Sequence, residues 1–194
     1  MNKYKFLAGL FSLVFLTGCF TVSTNSDYDT AVKFSNLKTF GWLPGPQPKT
    51  GDIRLDNTLL DERIRAAIDR ELTAKGYRKI ASGEPDFYVR YQPSVEGKID
   101  VVSAPTPYYT TPYGAGYGAY GGYAGGWSSW GGSQTFVDQY DEGTIVVDFA
   151  DPKTKKLIWR GTASAVVDPD ANPAKREERI NKAMAKLLKK FPPQ

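Results

Sequence analysis

Apolar residues are distributed along this chain in three ways, and each predicts a different element. From Phe6 to Leu16 they run almost without interruption. That length suits the core of an export signal and falls short of the roughly 20 residues of a membrane-spanning helix. In two later stretches they recur at helical spacing. Leu60, Ile64, Ile68 and Leu72, with Ala67 beside them, predict a helix from about Asn57 to Lys75, with a capping-box-like start at Thr58-Leu59-Leu60-Asp61 and a stop at Gly76. Ile180, Ala183, Met184, Leu187, Leu188 and Phe191 predict a second helix from about Pro173 to Phe191, with Asn172 as its N-cap. Elsewhere apolar and polar residues alternate. That period of two predicts strands at Lys38 to Leu43, Asp86 to Gln92, Lys98 to Ser103, Gln134 to Tyr140, Gly143 to Phe149 and Lys156 to Val167. The last two flank Asp151-Pro152-Lys153-Thr154, a turn sequence with proline at its second position, which predicts antiparallel pairing.

Two one-sided helices and five or six alternating strands predict an α+β fold, a two-layer sandwich in which an antiparallel sheet carries both helices on one face. Residues 1–18 read as a signal peptide, 19–30 as a modified N-terminus and flexible tether rich in Ser, Thr, Asn and Asp, and 31–194 as one domain. A low-complexity loop at 104–133 interrupts the domain between strands. No charged residue occurs between Asp100 and Asp138, and Tyr108, Tyr109, Tyr113, Tyr117, Tyr120, Tyr123, Trp127 and Trp130 are interspersed with glycine. Aromatic rings on a glycine-rich backbone are candidate ligand contacts, able to stack on sugar rings, and a solvated loop without a ligand fits the same composition. The literal GxGxxG at Gly116, Gly118 and Gly121 lacks the flanking strand and helix of a dinucleotide site.

Composition narrows the chemistry. The chain has 194 residues and a formal charge of +4, which falls to +2 once Lys3 and Lys5 leave with the signal. That surplus is too small to argue for nucleic acid as a partner. There is no histidine and only one cysteine, so Ser-His-Asp and Cys-His nucleophiles and imidazole or thiolate zinc sites are excluded. The expectation is a protein that is not an enzyme, with no catalytic residue, no cofactor and no metal. Carboxylate chemistry stays open as a rival, with Asp86, Asp138, Asp141, Glu142 and Asp148 near predicted strands. A glycosidase needs two carboxyls roughly 5 to 9.5 Å apart in a cleft. In Trp159-Arg160-Gly161 the reading is a core tryptophan and an arginine paired with a carboxylate on the polar sheet face.

The single cysteine closes Leu16-Thr17-Gly18-Cys19, which resembles the lipobox of bacterial lipoproteins. The resemblance implies cleavage between Gly18 and Cys19 and attachment of acyl chains such as palmitate to Cys19, making the membrane a partner. The next residue, Phe20, is not the aspartate associated with inner-membrane retention, which favours the outer membrane but does not bear on which face the domain occupies; a periplasm-facing domain is the expectation. A second resemblance rests on Lys38-Thr39-Phe40-Gly41-Trp42, Leu72-Thr73-Ala74-Lys75-Gly76-Tyr77, Pro85-Asp86-Phe87-Tyr88-Val89-Arg90-Tyr91, Gly143-Thr144-Ile145-Val146-Val147-Asp148, Lys156-Leu157-Ile158-Trp159-Arg160-Gly161 and Leu187-Leu188-Lys189-Lys190-Phe191-Pro192-Pro193. In this order the motifs resemble the lipoproteins of the domain-of-unknown-function 4136 family. That resemblance implies an envelope lipoprotein and supplies no catalytic residue. The expected function is non-enzymatic binding or organisation of an envelope glycan or protein, with a carboxylate hydrolase and a structural spacer as alternatives.

Overall fold

The computed structural model describes residues 20–105 and 133–193, except the side chains of 102–105 and 133–136. Gly18, Cys19 and the aromatic residues from Tyr108 to Trp130 lie outside the described residues, as does most of the 104–133 loop.

The strands are β1 (Ser23–Tyr28), β2 (Thr39–Trp42), β3 (Arg78–Lys79), β4 (Phe87–Pro105), β5 (Ser133–Ala150) and β6 (Leu157–Val166), and the helices are α1 (Thr58–Ala74) and α2 (Pro173–Leu188). The strands form one sheet in the order β1-β6-β5-β4-β2-β3. Both helices contribute their apolar stripes to one core, Ile64, Ala67, Ile68 and Leu72 from α1 and Ala183, Met184, Leu187 and Leu188 from α2. These stripes meet Phe87, Val89, Tyr91, Val147, Phe149 and Trp159 on one sheet face. The two-layer α+β reading therefore holds.

The sheet is mixed rather than antiparallel. β2 runs parallel to both β3 and β4. α1 returns the chain to the end of the sheet where β2 began, so the strands that follow it must run the same way as β2. Asp86 locks this junction, its carboxylate accepting from the Lys38 and Thr39 amides at 2.8 and 2.7 Å and from the Thr39 hydroxyl at 2.8 Å. Those bonds, with the Lys38 amide foremost, hold its carboxyl below the usual carboxylate range.

The tether reading is also corrected. Ser23–Tyr28 is an edge strand, antiparallel to β6 from Ser23↔Ser164 to Tyr28↔Trp159. Val22 is buried, and the Lys190 Nζ donates to the Thr24 carbonyl at 2.6 Å. An edge strand of Ser, Thr, Asn and Asp draws its stability from backbone bonds to its neighbour, which the side-chain pattern does not register.

Four predicted strands merge into two. β4 and β5 are 19 and 18 residues long and pair without a break from Tyr88↔Ala150 to Pro105↔Ser133. Their distal halves form an arm extending past the helices. Glu96 faces Glu142 and Asp100 faces Asp138 across it. Ile99, Val101 and Val137 continue the core-facing side of the ribbon and are exposed.

The helix ends follow local chemistry. α1 is capped by Asn57, whose side chain accepts from the Leu60 amide at 2.9 Å, one residue ahead of the Thr58 start expected from the capping-box pattern. Gly76, at φ +90°, closes it in a Schellman turn, with the Tyr77 amide donating to the Leu72 carbonyl at 3.1 Å. α2 starts as expected, with Asn172 accepting from the Lys175 amide and Pro173 in the first turn. A polar seam ties α1 to the sheet. The Trp42 indole donates to Asp69 at 3.0 Å, the Tyr91 hydroxyl donates to Asp61 at 2.6 Å, and the Arg65 guanidinium lies 4.3 Å from the Trp42 ring centre.

Candidate binding groove

Both helices begin at the end of the sandwich from which the arm projects. There the layers part, leaving a groove of about 640 Å³ between the first turns of α1 and α2, the middle of β4 and β5 and the C-terminal end of β6. Small-molecule sites span roughly 300 to 1,000 Å³. Buried Ile64, Ala163 and Ala183 line it, together with Leu60, Val95, Ile145 and Ile180. The exposed side chains of Ile53, Leu59 and Val166 also line it. Ile53 comes from the loop that precedes α1, which Asp56 folds by accepting from the Thr50 and Gly51 amides at 2.8 and 3.0 Å.

The charged residues of the groove are Arg54, Arg63, Arg176 and Arg179 against Asp141 and Asp168. Arg54 bridges Asp52 and Asp141 at 2.7 and 2.9 Å. Arg179 reaches Asp168 at 3.1 Å and lies 4.7 Å from the Phe20 ring centre, while its Nε is buried with no partner among the described residues. Arg176 donates to the Ala171 and Pro169 carbonyls at 2.8 and 3.0 Å, which shapes the β6–α2 loop. Among the described residues neither Arg63 nor Arg176 takes part in an ion pair. The Lys175 hydrogen bond holds the Asp168 carboxyl below its ordinary range. A shallower depression of about 510 Å³ lies over the outer surface of the helices beside Arg70 and Glu177; the sheet contributes nothing to it.

Of the five acids singled out in the sequence, Asp141 alone lines the groove. Asp86 is bound by backbone, and Glu142 and Asp138 face other acids across the arm. Asp148 is the one buried charged residue among those described, sitting on the open sheet face. It accepts from Arg160 at 2.6 and 2.8 Å and from Arg90 at 2.7 Å. This is the carboxylate partner expected for Arg160, and Trp159 is fully buried beneath the opposite face. No group of three or more acids or cysteines converges as metal ligands among the described residues. No described helix is long and apolar enough to cross a membrane.

Burial works against the Asp148 charge, and the Arg160 and Arg90 hydrogen bonds outweigh it, so its carboxyl lies below its ordinary value. A depressed folded-state pKa gives stability that is complete above the unfolded value, about pH 4, and is lost as pH falls through the folded one. Asp148→Asn is expected to cost about 2 kcal/mol at neutral pH, less than a fully buried pair because both guanidiniums are about half exposed. Urea unfolding followed from neutral to strongly acid pH should show the variant losing less stability with acid than the parent. Parallel curves would remove the clamp from the account of acid stability.

Sequence reasoning missed the groove. Its signals were Leu59, an apolar residue off the α1 stripe, and Ile53 in a polar loop.

Fold and cleft together define a two-layer α+β sandwich with a projecting ribbon and an apolar, arginine-edged groove at one end. Residues 24–193 match the family described as Domain of unknown function (DUF4136), and the chain belongs to that family. No curated protein matches it. Among solved structures it is similar to a PDZ domain protein from Parabacteroides distasonis ATCC 8503, at 14% identity and a TM-score of 0.52, over 90% of this chain and 36% of that one. This chain thus spans little more than a third of that protein, and the likeness is one of fold. It also resembles PelC dodecamers from Paraburkholderia phytofirmans in two crystal forms. The identities are 10% and 11% and the TM-scores 0.43 and 0.41, over 87% of this chain and 95% of those.

Proposed function

We propose that this protein is a lipoprotein of the bacterial envelope, held in the outer membrane by acyl chains on Cys19 and facing the periplasm, and that its domain is a non-enzymatic binding module. One observation carries the reading. The groove is lined by Phe20, the covalent neighbour of Cys19, and only Thr21 and Val22 separate Phe20 from the first strand. An acylated Cys19 keeps the groove beside the lipid surface, where envelope components are concentrated. Two or more acyl chains anchor a protein stably. The non-enzymatic reading is supported by the carboxylates of the groove. Asp141 and Asp168 are each engaged by arginine, and Asp168 is held ionised, the wrong state for a general acid near neutral pH.

The experiment has two arms. Cys19→Ala is expected to abolish globomycin-sensitive processing and to release the protein from membranes; a variant still processed and membrane-bound overturns the anchor. Ala165 lines the groove and is half buried, so Ala165→Trp should fill it. Capture from crosslinked envelopes should recover a component with the parent that the tryptophan variant loses, at an unchanged unfolding midpoint. Equal recovery from both proteins would remove the groove from the function.

A further inference from the structure

Resting on the reading of the groove as the binding site, we propose that its ligand is an anionic lipid, with one acyl chain lying in the groove and the head group held by arginine. Three features of the groove converge on this chemistry. The first is an apolar lining closed by Ile64 and Ala183, both buried, of a volume suited to a small ligand. The second is a pair of largely exposed apolar side chains, Ile53 at 88% and Leu59 at 60% exposure. Large apolar side chains left in water beside a cleft mark an interaction site, and a bound chain would cover them. The third is the charge. Four arginines meet two aspartates, and Arg63, one turn along α1 from Leu59, has no carboxylate partner among the described residues. An apolar trough with surplus guanidinium fits an amphiphile that ends in phosphate or carboxylate.

The site also has a source of ligand. Phe20 lies in the groove wall under the Arg179 guanidinium, and it directly follows the proposed lipid-bearing Cys19 in the chain. A lipid would enter from the leaflet that holds the protein, without crossing water.

The test uses a chain that begins at Phe20, because every residue of the core cluster lies between Val22 and Phe191 and the fold does not depend on the anchor. Binding of cis-parinaric acid is followed by fluorescence. Lysophosphatidylglycerol is expected to displace it about tenfold better than lysophosphatidylcholine of the same chain length. Arg63→Gln should erase that preference while leaving lysophosphatidylcholine unaffected. Ala165→Trp should abolish probe binding at an unchanged unfolding midpoint. Absence of probe binding, displacement by inorganic phosphate alone, or a head-group preference that survives Arg63→Gln would each overturn the proposal. So would sedimentation showing a dimer that Leu59→Asp dissociates, since a second copy would then occupy the groove. If the parent still captures an envelope component that Ala165→Trp loses, the groove stands and the lipid falls; if both assays are negative, both fall.

Discussion

Alanine in place of Phe191 is expected to cost about 4 kcal/mol of folding stability, the middle of the range for removing a buried phenylalanine. The ring is fully buried, and it packs against Phe34, Tyr77, Phe87, Phe149 and Trp159, with centroid distances between 4.6 and 5.8 Å. Those rings come from the segment after β1, the turn after α1, and strands β4, β5 and β6, so a cavity there loosens nearly every element at once. Edge-to-face geometry dominates, adding to the burial term. Phe191→Leu should recover more than half of the loss. Urea unfolding measures both; a cost below about 1 kcal/mol for alanine would show that the rings collapse onto one another without it.

Gly161→Ala carries the second large effect, about 3 kcal/mol, from overpacking. Gly161 lies on the core face of β6, two residues from Trp159, and a methyl group there would run into the six-membered part of the indole and come within 2.8 Å of the Leu187 Cδ1. The indole cannot swing aside. It is stacked on Phe149 at 4.8 Å and meets Phe191 edge-on at 5.4 Å. In Trp159→Phe the obstruction is smaller, so the double variant Gly161→Ala with Trp159→Phe should lose less than the two single losses added together. Strict additivity would remove the steric explanation.

How far the fold was legible varies by element, for reasons that can be named. The helices were legible because their stripes, Ile64 to Leu72 and Ala183 to Leu188, face a single core and their ends carry Asn57, Gly76 and Asn172, whose chemistry is local. The antiparallel pair of β5 and β6 was legible because Asp151 and its neighbours form a turn within a few residues, the Asp151 side chain accepting from the Lys153 and Thr154 amides. β1 was not, since Ser23 to Tyr28 bury little and are held by backbone bonds to β6, more than a hundred residues away. The unbroken length of β4 and β5 escaped notice for a related reason. Glu96, Gly97 and Asp100 show no burial pattern, because that part of the ribbon lies beyond the helices.

The groove illustrates the same division. Each of its residues can be read singly: Leu59 sits off the stripe, Ile53 lies in a polar loop, and Arg63 and Arg179 look like solvated helix charges. They belong together only because both helices start at one end of the sheet, which follows from the parallel β2–β4 pairing and the crossover through α1. Asp148 behaves likewise, since its two arginines come from strands on either side of β5.

The sequence by itself determined the class of fold, the helix ends, the faces of the main strands, the lack of histidine and the loss of the usual nucleophilic and zinc chemistries, because these depend on residue type and short-range spacing. Tertiary structure alone decided that the sheet is mixed, that the segment after Cys19 is a strand rather than a leash, and that apolar and cationic side chains from six segments share one groove. Those outcomes depend on strand order and register, set by backbone pairing and closure of the core across long sequence separations, which leave no periodic mark in any one segment.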